Sequence, residues 1–296
     1  MKSISILIPI YNRLAVTKEG LLSLSNTISY YYEHGRHTIN YNIIVIDDGS
    51  TDGSAEWIIK NYPDVHLLRG DGNLWWSGSI NMGARYAIEQ LYVDYIILWN
   101  DDILVEEKYF VDLEKRLEQD SYPKNVIYGS NIFEYPNVSK TWSNMGYMNK
   151  YTGFRNSVQE DINFSSPSLY HWFTGMGTII PSDVVTNLNY WDDVNFPQYY
   201  GDSDFTIRAY KKAYNLILCP DLKIWNKVEF SSFIARSTWK DYFKSLKMKQ
   251  SRYNIKAEIV FLKRHTLTPF WITFLFYKHV FYLRDFIKNK YKKALT

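Results

Sequence analysis

Tyr41-Asn42-Ile43-Ile44-Val45-Ile46-Asp47-Asp48-Gly49-Ser50-Thr51-Asp52-Gly53-Ser54 decides the fold. Four successive apolar residues, three of them isoleucine, leave no polar face, so this strand is covered on both sides. The run stops at two carboxylates and a Gly-Ser turn. Ser54 to Asn61 then takes helical spacing, with Thr51 or Asp52 available as its cap. Working outward, Ser5 to Ile10 is a similar buried strand, and Thr17 to Tyr32 is a helix with Leu21, Leu22, Leu24 and Ile28 on its apolar face. Downstream, Val65–Leu68 reads as a strand, Ser79–Leu91 as a helix, and Tyr95–Trp99 as a strand ending at Asn100-Asp101-Asp102. The spacing predicts a further helix over Val105–Leu117. Strand and helix alternate, which is the signature of a parallel α/β sheet. The polar clusters all follow strands, at the edge where such sheets bind ligands.

The second half is less regular. Ser121–Ser168 is rich in Tyr, Asn and Ser and reads as short strands and loops. Met176–Ile180 is a strand, Asp202–Tyr214 a helix and Leu216–Cys219 a strand; from Ser237 the pattern is helical and basic. The chain has 296 residues, 46% hydrophobic, 22% charged and 18% aromatic. Those values exclude disordered and collagen-like classes, and the many Tyr and Trp rings suit surfaces that meet sugars or bases. A single cysteine, Cys219, excludes a disulfide framework and a cysteine zinc site, and fits a reducing compartment. Lys227–Thr296 carries 16 Lys/Arg against 4 Asp/Glu, so the net charge of +3 hides an acidic body and a basic tail. Such a tail suits phosphate, on nucleic acid or anionic lipid. Pro9 stops the first apolar run, which is too short for a signal peptide. Pro269–Tyr277 falls short of the ~20 residues that span a bilayer. With its flanking cations it reads either as a segment lying on a membrane surface or as a buried helix with a basic outer face.

Acidic pairs recur at Asp47-Asp48, Asp101-Asp102, Asp192-Asp193 and Asp202-x-Asp204. Adjacent carboxylates repel, and several at one sheet edge point to a divalent metal with a charged substrate. Oxygen-only ligands select hard ions, Mg²⁺ or Mn²⁺.

Pro9-Ile10-Tyr11-Asn12-Arg13, Asp47 to Ser54, Asn100-Asp101-Asp102, Gly72 to Gly83, Thr174-Gly175-Met176-Gly177 and Tyr190 to Arg208, in this order, resemble glycosyltransferase family two. The resemblance covers about residues 3–230. It implies the type A glycosyltransferase fold: a single mixed, mostly parallel sheet flanked by helices, with a nucleotide-sugar half at about 1–104 and an acceptor half at about 105–230. Residues 231–296 would be a basic, aromatic, helical extension. It also implies inverting transfer of a sugar from a UDP- or dTDP-sugar to a glycan or lipid-linked acceptor, in surface polysaccharide synthesis. Gly72–Gly83 and the C-terminal region resemble rhamnosyltransferase-like members. The family places an aspartate at Asp48 to accept the N3–H of a uracil or thymine. Pro9, Tyr11, Asn12, Arg13, Gly72, Asn73, Asn81 and Asp101 would complete the donor site, and Trp75 and Trp76 can wall off a sugar. Asp102 would be the metal ligand; Asn226 stands where relatives often have a histidine ligand. Asp202 would be the general base, with Asp204 and Arg208 steadying its helix. Many relatives carry an acid where Gly201 stands. Trp172, Gly175, Asp192 and Asp193 would face the acceptor, and Lys227, Arg236 and Lys240 can reach a diphosphate.

Three rival readings remain. A nucleotide-binding protein without turnover would bind donor and metal and do no chemistry. A nucleic-acid module would use the basic tail, which the acidic body disfavours; nucleic acid is therefore not an expected partner. A dinucleotide-dependent dehydrogenase needs a Gly-x-Gly-x-x-Gly turn after the first strand, and Pro9–Arg13 contains no glycine. The expected location is cytoplasmic, with an anionic membrane surface as a candidate partner.

Overall fold

The computed structural model describes residues 1–118, 125–137, 141–142, 145–158, 168–227 and 238–292. The first half runs β1 (Lys2–Ile10), α1 (Leu14–His34), β2 (Ile39–Asp47), α2 (Ser54–Asn61), β3 (His66–Arg69), α3 (Trp75–Glu89), β4 (Tyr95–Leu98). Its four strands lie in the order β3-β2-β1-β4, all parallel. Successive residues of β1 point to opposite faces: Ile4, Ile6 and Ile8 pack with Leu21 and Leu24 of α1, and Leu7 packs with Ile80 and Ala84 of α3. Both faces are covered, which is why these strands carry no polar alternation.

The sequence then continues through β5 (Ile103–Val105), α4 (Tyr109–Glu118), β6 (Val126–Tyr135), β7 (Met145–Met148), β8 (Arg155–Val158), β9 (Ser168–Tyr170), β10 (Trp172–Phe173), β11 (Thr178–Pro181), α5 (Ser182–Asn187), α6 (Gly201–Lys211) and β12 (Asn215–Lys227). The sheet extends β4-β11-β6-β12-β5, with β9 paired to β12. β11 runs antiparallel to β4 and β6, while the long β12/β6 ladder is parallel. β10, β7 and β8 form a separate three-stranded sheet.

Several elements differ from the sequence expectation; β12, for one, runs on to Lys227, past the strand end expected at Cys219. Val105, the expected helix start, instead ends the strand Ile103–Val105, which pairs antiparallel with β12 through Ile103↔Asn226; the helix begins at Tyr109. Asp101-Asp102 therefore sits in a turn between two strands rather than at a helix cap. α3 starts at Trp75, four residues early, at a left-handed φ of 58°.

The C-terminal helices are α7 (Trp239–Ser245), α8 (Ile255–His265) and α9 (Trp271–Lys292). Thr238 and Asn254 cap α7 and α8 by accepting from Asp241 and Ala257 backbone N–H groups. The helices sit directly on the catalytic body. Phe261 and Leu262 share a core with Trp172, Phe196, Tyr200 and Ile207. Gly153 marks the closeness of the fit: a Cβ there would lie 2.2 Å from Leu262 Cδ2. None of the described helices is long and apolar enough to cross a membrane.

Candidate active site

The strands β2, β1 and β4 are parallel neighbours, so the turns after β2 and β4 open at one sheet edge. β11 is antiparallel to β4, with Thr178 opposite Leu98, so its preceding residues Thr174–Gly177 arrive at that edge from the other side.

At the first turn, Asp48 is buried, and its carboxylate accepts from the backbone N–H groups of Gly72 (2.9 Å), Leu74 (3.2 Å) and Trp75 (2.9 Å). It thus holds the positive N-terminal end of α3. Gly70 has to be glycine, since a Cβ would sit 2.6 Å from Asp48 Oδ1. Gly72 adopts φ 88°, and Asn73 beside it is exposed. Asn12, at φ 49°, ties this turn to the end of β1: its N–H donates to Ser50 Oγ and its Oδ1 accepts from Thr51 N–H. Pro9 pairs with Ile46 within the ladder. Tyr11 is 53% exposed, so its ring stands at the edge, outside the core.

At the second turn, Arg13 bridges both carboxylates, Nη1 to Asp101 at 2.7 Å and Nη2 to Asp102 at 3.0 Å. Thr17 Oγ1 donates to Asp101 as well. Burial pushes the Asp101 carboxyl up to about 6, Arg13 opposing and the Asp102 charge adding to the rise. Asp102 is also buried, and its Oδ1 has no hydrogen-bond partner among the described residues. Gly20 of α1 lets that helix touch the turn, for a Cβ there would meet Asp101 O at 2.1 Å. Asn226 is buried on β12, next to Lys227, whose backbone N–H donates to Asp102 O. A buried carboxylate oxygen with no partner among the described residues suits a hard divalent cation. Among the described residues no three His, Cys, Asp or Glu side chains form a metal cage, and such ions commonly take phosphate and water oxygens for the rest of their shell.

The third component is Asp202 in the first turn of α6. Oδ2 accepts from Gly175 N–H (3.0 Å), and Oδ1 from Ser203 N–H (2.6 Å) and Oγ (3.2 Å). Burial raises its pKa, with the Ser203 hydrogen bonds and the Arg155 charge opposing. Tyr200, the N-cap, is held at φ 72°, a strained conformation for a bulky residue. Gly201 has a local cause: a Cβ would lie 2.3 Å from Ser77 Oγ, so α3 fills the space where an acidic side chain would start. Trp76 lies over Gly175, where a Cβ would come within 2.2 Å of the indole. A continuous path of contacts therefore joins Asp48, the Trp75–Trp76 start of α3, Gly175 and Asp202.

The Asn81 amide is spent on Trp191, donating to its carbonyl at 2.9 Å and accepting its N–H at 3.0 Å. Asp192 accepts from Asn195 and from Arg264 Nη2 at 2.6 Å. Asp193 is exposed and, with Asn81, Arg85 and Arg208, lines a 410 Å³ cavity about two to three turns down α3 from Trp75. Trp172 is buried, in β10. Asp204 is fully buried among Arg208 Nε (2.8 Å), Arg264 Nη1 (2.8 Å) and His265 Nε2 (2.9 Å). Lys227 pairs with Glu19, and Arg236 lies outside the described residues.

Sequence reasoning missed Arg155, whose Nη1 donates to Ser203 Oγ at 2.8 Å beside the base; its segment has no periodicity or motif to mark it. It also missed Lys247, Lys249 and Lys256, which line a 200 Å³ cavity against Asn195, Pro197 and Tyr199 on the loop before α6. Lys249 Nζ lies 5.6 Å from the Trp75 ring centroid. The only sequence signal for these three was the basic tail.

A mixed sheet with an all-parallel half, acidic turns at its open edge and an acidic helix start across from them define a type A glycosyltransferase. The chain belongs to glycosyl transferase family 2, whose profile matches residues 5–171. It is 37% identical over 122 residues to an uncharacterized glycosyltransferase of Haemophilus influenzae, covering 40% of this chain and 42% of that one. It is 28% identical over 65 residues to the low-salt glycan biosynthesis hexosyltransferase Agl10 of Haloferax volcanii, 22% of this chain and 20% of that one. The matched stretches thus span less than half of either relative. Among solved structures, GalNAc-T7 with UDP, GalNAc and Mn²⁺ superposes with a TM-score of 0.58 at 13% identity, over 83% of this chain and 48% of that one. The mannosyltransferase PcManGT of Pyrobaculum calidifontis, with GDP-Man and Mn²⁺, gives 0.53 at 13%, over 88% and 64%. At these identities the likeness is one of fold.

Proposed function

We propose that this glycosyltransferase moves a sugar, with inversion, from a UDP- or dTDP-sugar to a hydroxyl of a glycan or lipid-linked acceptor, in bacterial-type surface polysaccharide synthesis. The observation that carries this reading is the gathering of Asp48, the Asp101-Asp102 turn and Asp202 at one sheet edge. Asp48 orients the loop that would hold the base, and Tyr11, exposed on the rim, can stack on it. A divalent cation, Mg²⁺ or Mn²⁺, held by Asp102 with Asn226, would neutralise charge on the departing diphosphate. Both similar structures named above contain Mn²⁺ beside a nucleotide or nucleotide-sugar.

Asp202 is the proposed base. It is fixed from behind by Gly175 and Ser203, and burial raises its pKa towards the range where a carboxylate removes a proton effectively. Attack by the activated hydroxyl on the anomeric carbon breaks the bond to the diphosphate, and the proton goes to Asp202. The lysine-lined cavity before α6 suits an acceptor that carries phosphate. Asp193 and Trp172 remain proposed acceptor contacts. A cytoplasmic site of action, peripheral on the membrane, fits such an acceptor.

The test is a donor screen: nucleotide-sugars with Mn²⁺ or Mg²⁺, scoring release of nucleoside diphosphate. One donor turned over in the presence of acceptor extracts supports the proposal. Tight nucleotide and metal binding with no turnover on any donor would favour a binding protein instead.

A further inference from the structure

α9 is apolar on two opposite faces. One face is buried: Tyr282 and Phe286 pack with Tyr242 of α7, Phe274 and Leu275 pack towards Phe261 and Leu262, and Lys278 reaches inward to Glu258 at 2.6 Å and Tyr200 Oη at 3.1 Å. The other face is bare. Ile272, Phe276, Val280, Ile287 and Tyr291 recur at spacings of four, four, seven and four, so they fall on one line along the helix. They are 37–64% exposed, and Tyr277 and Phe281 beside them are at least half exposed. At 1.5 Å per residue the line is about 28 Å long. A soluble surface does not ordinarily leave so long a run of aromatic and β-branched side chains in water.

The surroundings of this stripe are basic. Arg284 interrupts it, and Lys288 and Lys290 stand on α9 beside it. Lys290 Nζ lies over the Trp239 ring (5.0 Å), and Trp239 and Phe243 of α7 continue the exposed aromatic surface. Exposed aromatics flanked by cations, on a helix with no capacity to span, match a helix that lies in the plane of an anionic bilayer.

We propose that α9 docks this chain on a membrane surface of anionic phospholipid, its Ile272–Tyr291 stripe entering the headgroup layer. The consequence is geometric. Lys278, on the opposite side of the same helix, binds Tyr200, two residues before Asp202. Docking therefore brings the proposed base to within a few helix widths of the lipid. The inference concerns the surface alone and does not depend on the transferase chemistry.

The experiment is co-sedimentation of the full chain with vesicles of phosphatidylcholine, with and without about 30% phosphatidylglycerol. Wild type should bind the anionic vesicles and leave the neutral ones. Phe276→Glu/Val280→Glu should lose at least about tenfold in binding, and Lys288→Glu/Lys290→Glu should lose binding in a salt-dependent way. All four positions are outside the active site, and an unchanged thermal midpoint will show that the variants fold. Absence of anionic-vesicle binding by wild type, or its retention in Phe276→Glu/Val280→Glu, overturns the proposal. So does light scattering that shows a dimer which those substitutions dissociate, since the stripe would then be covered by a second copy.

Discussion

Asp202 is fixed by three hydrogen bonds from Gly175 and Ser203, and no ion pair to it is found among the described residues. Asp202→Asn preserves most of that geometry and removes the base. Transfer should fall about 10²–10⁴-fold, with nucleotide affinity unchanged within about twofold. Equal turnover in the variant would show that another group takes the proton. Because burial raises the Asp202 pKa, activity should decline on acidification at a higher pH than an ordinary aspartate would give, and a pH–rate profile of kcat reads this directly. Gly175→Ala tests the contact behind the base. The new Cβ would collide with the Trp76 ring, displacing either the indole or the Gly175 N–H from Asp202, and transfer should drop at least about tenfold. The motifs carrying Asp48, Asp102 and Asp202 were legible because each is a carboxylate at a strand end or helix start. The sequence did not show that Asn81 holds Trp191 or that Asp192 holds Asn195 and Arg264. A buried amide that clamps a backbone and one that grips a nucleotide are written with the same letter.

α6 carries the proposed base, and α8 secures α6 through Asp204. Burial alone would raise the Asp204 carboxyl, but the His265 hydrogen bond and the Arg208 charge outweigh it and hold it below the usual carboxylate range. Burial pushes His265 down, the Asp204 charge opposing. Both shifts carry the same sign for linkage: the unfolded chain binds more protons than the folded one. Stability should be full above the ordinary histidine pKa of about 6.5 and fall as pH drops below it. A second loss follows below the ordinary aspartate value of about 4. Thermal midpoints between about pH 7.5 and 4 check this, and a flat profile would contradict it. Asp204→Asn leaves two arginines facing a neutral amide and should cost about 3 kcal/mol in denaturant unfolding. At this scale the sequence was legible where periodicity was clean: α2 is found where its spacing places it. It misled at Val105, the last of three apolar residues, which serves equally well as a helix start or as the end of a strand. The deciding fact, a partner in β12, lies more than a hundred residues away.

Across the whole molecule, the parallel half could be read from the sequence because buried strands announce themselves as apolar runs. In the second half single elements such as α6 could be read, but not how they meet. Its contacts are long-range: Arg155 meets Ser203, Lys278 meets Tyr200, and Arg264 meets Asp192 and Asp204. The proposed metal site gives a whole-molecule prediction. Chelation should abolish turnover and weaken nucleotide diphosphate binding, and Mn²⁺ or Mg²⁺ should restore both; Asp102→Asn should reproduce the chelated state with metal present. Unaltered nucleotide affinity in Asp102→Asn, measured calorimetrically with Mn²⁺, would place the cation elsewhere.

The Asp204 cluster also imposes an order on biosynthesis. The ribosome delivers the parallel half first, and those strands can pair as soon as β4 has emerged. The grip on α6 needs Arg264 and His265, about sixty residues after Asp204. A nascent polypeptide therefore forms its proposed donor pocket long before the proposed proton acceptor is locked in place, a step that waits until α8 has been made.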